Sequence, residues 1–129
     1  MNNWMNGVPF ASISSYDLDD THRLFQTESS ITTPSQLFVF IDENEDTILD
    51  AEFGMPPANS MYYEQNVWWD MPSNRHSQGA NLSFADAPVE HWKWRAPMIF
   101  YDWIQSVSSQ QMSDYHRIQN AMKQPVDNN

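Results

Sequence analysis

From Asn81 to Trp94 the chain reads NLSFADAPVEHWKW, two runs of alternating apolar and polar residues with only Ala87 and Pro88 between them. Alternation with a period of two belongs to a strand that buries one face. In the first run Leu82 and Phe84 alternate with Ser83 and Ala85. In the second, Glu90, Trp92 and Trp94 lie on one side and Val89, His91 and Lys93 on the other. Two such runs on so short a link are almost forced into an antiparallel hairpin, and Pro88, lacking an amide donor, belongs at the start of its strand. Strands over 81–86 and 89–94 are therefore expected.

The rest of the chain supplies what such a hairpin needs. QLFVFID, ending at Asp42, is apolar over a strand's length and predicts a central strand over 37–42, buried on both faces. The acidic and amide-rich run from Asp42 to Glu52, closed by Gly54 and the Pro56-Pro57 pair, reads as a surface loop. Residues 58–70 carry Tyr62, Tyr63, Trp68 and Trp69, rings suited to lie over a sheet, and His22 to Gln26 reads as a short strand after an irregular opening. Beyond Pro97 the spacing of Ile99, Trp103 and Val107 predicts a helix over 98–108. A closing helix over 113–123 follows, with Ser113 as N-cap, Tyr115, Ile118 and Met122 on one face, and Pro125 as its stop. The fold class expected is α+β, an antiparallel sheet with C-terminal helices, in a single domain spanning 1–129.

Charge limits the partners. Seventeen acidic against six basic side chains give a net charge of -11, so nucleic acid and anionic membrane surfaces are repelled, whereas hard cations such as calcium are attracted. The absence of cysteine excludes disulfides, thiolate metal sites and cysteine nucleophiles. No run of about 18 apolar residues occurs, and MNNWMNGVPF lacks the charged and apolar regions of a signal peptide, so the chain as written reads as soluble.

His76, nine intervening residues, then Asp86-Ala87 carry a resemblance. The chain resembles the pseudopilin-like proteins with a prepilin-type methylated N-terminus of planctomycetes and verrucomicrobia, whose C-terminal half holds a His, nine residues, Asp-Gly motif. Pro34-Ser35, Phe38 to Glu43, Pro72 to Asn81, Phe84 to Trp92 and Asp114 to Gln119 stand in the order of that family's blocks, and His76, Gly79, Asn81, Phe84 and Asp86 are the motif residues. The resemblance implies the globular head of a subunit akin to the major pseudopilin of type II secretion. Its sheet would pack on a long N-terminal apolar helix that this chain does not contain, and that helix would be its only membrane contact. Its partners would be other filament subunits and secretion machinery, at the periplasmic or extracellular face of the envelope. Ala87 stands where the family has glycine; a type I′ turn needs the positive φ that alanine resists, so another turn type is expected.

Three constellations bear on chemistry. Asp42, Asn44, Asp46, Asp50 and Glu52 have the alternate spacing of a calcium loop, although Thr47 and Phe53 replace the glycine and glutamate of an EF-hand. Calcium ordering Asp42, Asn44, Asp46 and Asp50 competes with a solvated acidic loop that binds no cofactor. His76, Asp86 and His91 could meet across the hairpin to hold zinc or exchange protons, or His76 and Asp86 could bond to backbone around the turn entering it. The tryptophans at 68, 69, 92, 94 and 103 suit either a core or a carbohydrate platform, the latter making the chain an envelope binding module. No Gly-x-Ser-x-Gly, phosphate loop or His-Glu-x-x-His is present, and no enzymatic role is expected.

Overall fold

A computed structural model describes residues 29, 31–50, 52–56 and 65–122. The strand expected at His22 to Gln26, the Tyr62-Tyr63 pair and Pro125 lie outside them.

The hairpin forms as the alternation requires. Strand β2 (Gly79–Phe84) pairs antiparallel with β3 (Val89–Lys93), in a register that sets Ala80 against Trp92 and Ser83 against Val89. Ala80, Leu82, Phe84 and Trp92 are buried, while Val89, His91 and Lys93 face solvent. One face is thus core and the other open.

The connection is not of type I′. Ala87 N–H donates to the Phe84 carbonyl at 3.0 Å and Phe84 N–H to that of Pro88 at 3.0 Å, closing a three-residue loop, and Ala85 and Asp86 keep negative φ. Ala87 nonetheless adopts φ 87°, the left-handed conformation it was expected to avoid. A β-turn followed by one left-handed residue is the geometry of a bulged hairpin loop, in which glycine is the unstrained choice.

Strand β1 (Phe38–Ile41) joins β2 antiparallel, and the sheet order is β1-β2-β3. This corrects the expectation of a central strand buried on both faces, because β2 holds the centre and β1 an edge. A register shift between Phe38 and Phe40 lets Leu37 and Phe38 enter the core together and turns Phe40 outward, 56% exposed. An apolar run records hydrophobicity without saying which neighbours will cover it.

The one right-handed α-helix among the described residues, α1 (Met112–Met122), begins just before Ser113. Ser113 therefore does not cap it. The Gln111 carbonyl accepts the Tyr115 N–H at 2.9 Å, and the Ser108 and Gln111 side chains each accept the other's backbone N–H, at 3.2 and 3.3 Å. Tyr115, Ile118 and Met122 are buried on one face, as their spacing predicts. The Arg117 guanidinium lies 3.8 Å above the Trp92 ring, which docks the helix on the inward side of β3.

No helix forms over 98–108. Trp68 N–H donates to the Gln105 carbonyl at 2.9 Å and Val107 N–H to that of Asn66 at 2.8 Å, so groups a helix would pair internally are taken by the 65–68 segment. Val67 and Ser106 form a β-bridge, and Ile104 has φ 62°, incompatible with a right-handed helix. Among the described residues no helix is long and apolar enough to cross a membrane.

Candidate functional site

The chain enters β2 through an unusual turn. From Arg75 to Gln78 it winds one turn of left-handed helix, with His76 at φ 55°, Ser77 at 62° and Gln78 at 62°, closed by the Gly79 N–H on the Arg75 carbonyl. Left-handed backbone costs a non-glycine residue about 1–2 kcal/mol, so three in succession must be held from outside. The Gln78 carbonyl accepts the Trp94 N–H at 2.8 Å, and the Gln78 side-chain amide returns a bond to the Trp94 carbonyl at 2.9 Å. Ser73 Oγ accepts both the backbone N–H and Nε–H of Arg75 at 3.1 Å. Trp94 Nε1–H donates to the Ser73 carbonyl at 2.7 Å, and Asn74 Oδ1 accepts the Met98 N–H at 3.0 Å.

Asp42 ties this turn to the sheet. Its backbone N–H donates to Asn81 at 3.1 Å, its carbonyl accepts from Ser73 at 2.8 Å, and its Oδ2 accepts the Asn81 N–H at 3.1 Å. The same Oδ2 stands 3.4 Å from His76 Nε2. The His91 ring meets that of His76 edge to face at 6.5 Å and places Nδ1 3.2 Å from Asn81 Oδ1. Gly79 lies directly beneath: a Cβ there would come within 2.6 Å of His91 Cε1 and collide with the Trp92 carbonyl.

Of the motif residues, His76, Gly79 and Asn81 therefore share one corner, Phe84 belongs to the core, and Asp86 sits at the hairpin tip. The six residues of β2 separate His76 from Asp86 by about 20 Å, so the grouping of His76, Asp86 and His91 does not form. The carboxylate beside His76 is that of Asp42. Asp86 instead borders an open hollow of about 390 Å³ with Ser29, Ile31, Pro34 and Ala85.

The acidic loop is organised from within. Thr47 is fully buried, its Oγ1 2.9 Å from Glu43 Oε1 and 3.0 Å from the Asn44 carbonyl, and it accepts the Met71 N–H at 3.3 Å. Asn44 Oδ1 accepts the Asp46 N–H at 3.0 Å, and Asp50 Oδ1 accepts that of Glu52 at 2.7 Å. Asp42 points to the His76 corner. Among the described residues no three His, Asp or Glu side chains form a group able to hold a metal ion.

A carboxyl pair that local reading missed does form. Glu43 and Asp70 each shift the other's titration, and Asp70 Oδ2 accepts the Gly54 N–H at 2.6 Å. Burial, reinforced by the Glu43 and Asp50 carboxylates, pushes Asp70 up to about 7, against the opposing pull of the Gly54 bond. Burial likewise raises Glu43, while its bond from Thr47 opposes the shift. The partners stand 27 positions apart, and no spacing rule links them.

Three of the five described tryptophans belong to the core. Trp68 is fully buried, its Nε1–H on Gln111 Oε1 at 3.2 Å and its ring edge-on to Tyr115; Trp92 and Trp94 are buried too. They cannot present a platform for sugar rings. Among the described residues the exposed aromatics outside α1 and the sheet are Tyr101 and Trp103, in the segment expected to be helical, while Trp69 is half-buried.

Comparison of the chain with family models, curated proteins and solved structures finds no match.

Proposed function

We propose that the chain is the structural head of a pilin-like or pseudopilin-like filament subunit, with other subunits as its partners at the periplasmic or extracellular face of the envelope. The observation that carries this reading is the use to which the motif residues are put. His76, Gly79 and Asn81 build the left-handed corner, and Phe84 is core. Asp86 and Ala87 form a hairpin turn with φ 87° at the position where the resembled family has glycine. The motif thus has a physical rationale in backbone geometry that needs no reaction.

The test is intact-mass and N-terminal analysis of the native protein from membrane and extracellular fractions of its source cells. A mass exceeding this chain by roughly 25 to 60 residues, with a methylated N-terminus ahead of an apolar helix, is the expected result. A native protein that starts at Met1 and fractionates as soluble overturns it.

Tyr101 and Trp103 favour a second reading, an envelope module that binds carbohydrate. Retention on a polysaccharide gel that is lost in Trp103→Ala supports it.

A further inference from the structure

The segment Ile99 to Ile104 forms a small, internally braced knob, anchored by Phe100 against the core. Gln105 is its strut: Oε1 accepts the N–H groups of Tyr101 at 2.6 Å and Asp102 at 3.3 Å, and Nε2–H donates to the Ile99 carbonyl at 3.0 Å. Asp102 Oδ1 accepts the Trp103 N–H at 2.8 Å, and Phe100 meets the Trp103 ring edge-on at 5.2 Å. The outcome is a braced loop that shows solvent most of its apolar side chains: Tyr101 is 79% exposed, and Ile99, Trp103 and Ile104 are exposed with it. Ile104 holds a left-handed φ of 62°, an outlier for a β-branched residue, and its side chain remains exposed. Packing within the chain gives little return for that strain, which directs attention to a surface outside it.

The same chain carries a second apolar patch of different shape. On the open face of the sheet Phe40 and Val89 flank Ser83 in one register row, and Val89 is 69% exposed. Along β3 the same face continues through His91 to Lys93. Lys93 is one of only six basic residues in a chain of net charge -11, and Asp102 lies at the tip of the knob.

We infer that the Ile99 to Ile104 knob of one copy seats on the Phe40–Ser83–Val89 face of a second copy, with Asp102 directed to the Lys93 end of β3. Two different patches in contact make a heterologous interface, and contacts of that type propagate head to tail. Apolar patch meets apolar patch, and the acidic tip meets the basic end of the face. Four knob side chains cover far less than the roughly 800 Å² per partner of a stable complex, so the contact is weak alone and gains strength only among subunits already held side by side. In directing filament geometry the contact rests on the subunit reading, but its test uses the chain itself and stands apart from the native-protein analysis.

The experiment is sedimentation equilibrium of this chain up to about 1 mM, a range that reports contacts as weak as millimolar. The wild type is expected to grow in average mass with concentration. A knob variant, Tyr101→Ser with Trp103→Ser, and a face variant, Phe40→Ser with Val89→Glu, are each expected to move the midpoint at least tenfold higher while keeping wild-type thermal unfolding. An equimolar mixture of the two retains one intact knob and one intact face, so it recovers association but stops at the dimer. Asp102→Lys alone weakens the contact, and Lys93→Asp supplied on the partner restores it. A wild type that stays at 15.1 kDa throughout overturns the inference, as does a mixture no better than its components. So does a knob variant that associates normally while losing retention on polysaccharide. Failure here leaves the native-protein test of the subunit reading untouched.

Discussion

Asp42 Oδ2 accepts the backbone N–H of Asn81 at 3.1 Å across 39 positions of sequence, with His76 Nε2 3.4 Å away from the same oxygen. One carboxylate thereby fastens the end of β1 to β2 and steadies the left-handed turn beside it. Asp42→Ala is expected to destabilise by about 1–3 kcal/mol, since it strands a donor as well as removing a bond. Asp42→Asn keeps an acceptor oxygen and should lose less. Asp86→Ala, at the hairpin tip, should stay within about 0.5 kcal/mol. Urea midpoints at constant slope check all three.

Gly79 is required by crowding and not by its backbone angle, which is extended. Gly79→Ala forces the new methyl against His91 and the Trp92 carbonyl, and backbone can yield little. A loss of about 1–3 kcal/mol is expected. In Gly79→Ala combined with His91→Ala the imidazole contact is gone but the carbonyl contact stays, so a double-mutant cycle should recover only part of the loss.

Ala87→Gly should stabilise. At φ 87° glycine relieves the strain of the left-handed conformation, and the gain exceeds the entropy glycine adds to the unfolded chain. The expected net effect is about 0.5–1 kcal/mol, read as a rise in thermal midpoint. An unchanged or lowered midpoint would contradict the hairpin geometry described above.

Asp70 sets a pH dependence of defined sign. Its pKa rises from 3.8 in the unfolded chain to about 7 in the fold, so between those values the native state holds a proton that the unfolded state has released. The stability this proton contributes is complete below about pH 4 and is lost as pH rises through 7. Denaturant midpoints across pH 4–8 should show the decline. Asp70→Asn, which mimics the protonated group, should flatten it.

Gln105→Ala should leave global stability close to wild type while loosening the knob. Hydrogen exchange at the amides of Tyr101 and Asp102, both bound by Gln105 Oε1, is the measurement, and faster exchange confined to that loop is the expected outcome.

Much of the fold is local chemistry. The alternation around Ala87-Pro88 determined the hairpin, because period two and a short link leave few other ways to bury Leu82, Phe84 and Trp92. The Tyr115, Ile118 and Met122 spacing determined the closing helix for the same reason. Where residues distant in sequence compete for the same groups, local pattern failed. Residues 65–68 took backbone groups that the 98–108 spacing assigned to a helix, and β2 took the centre that the apolar run of β1 had suggested for itself. The candidate site was legible in identity and not in assembly. His76, Gly79 and Asn81 could be singled out, but Asp42 beside His76, the run of left-handed residues and the Glu43–Asp70 pair depend on contacts across 16 to 39 positions. The sequence by itself determined which segments alternate, turn and coil, since those preferences act between near neighbours. Only the tertiary structure decided which carboxylate meets which histidine and which aromatics reach water, because those outcomes follow from the packing of the whole chain.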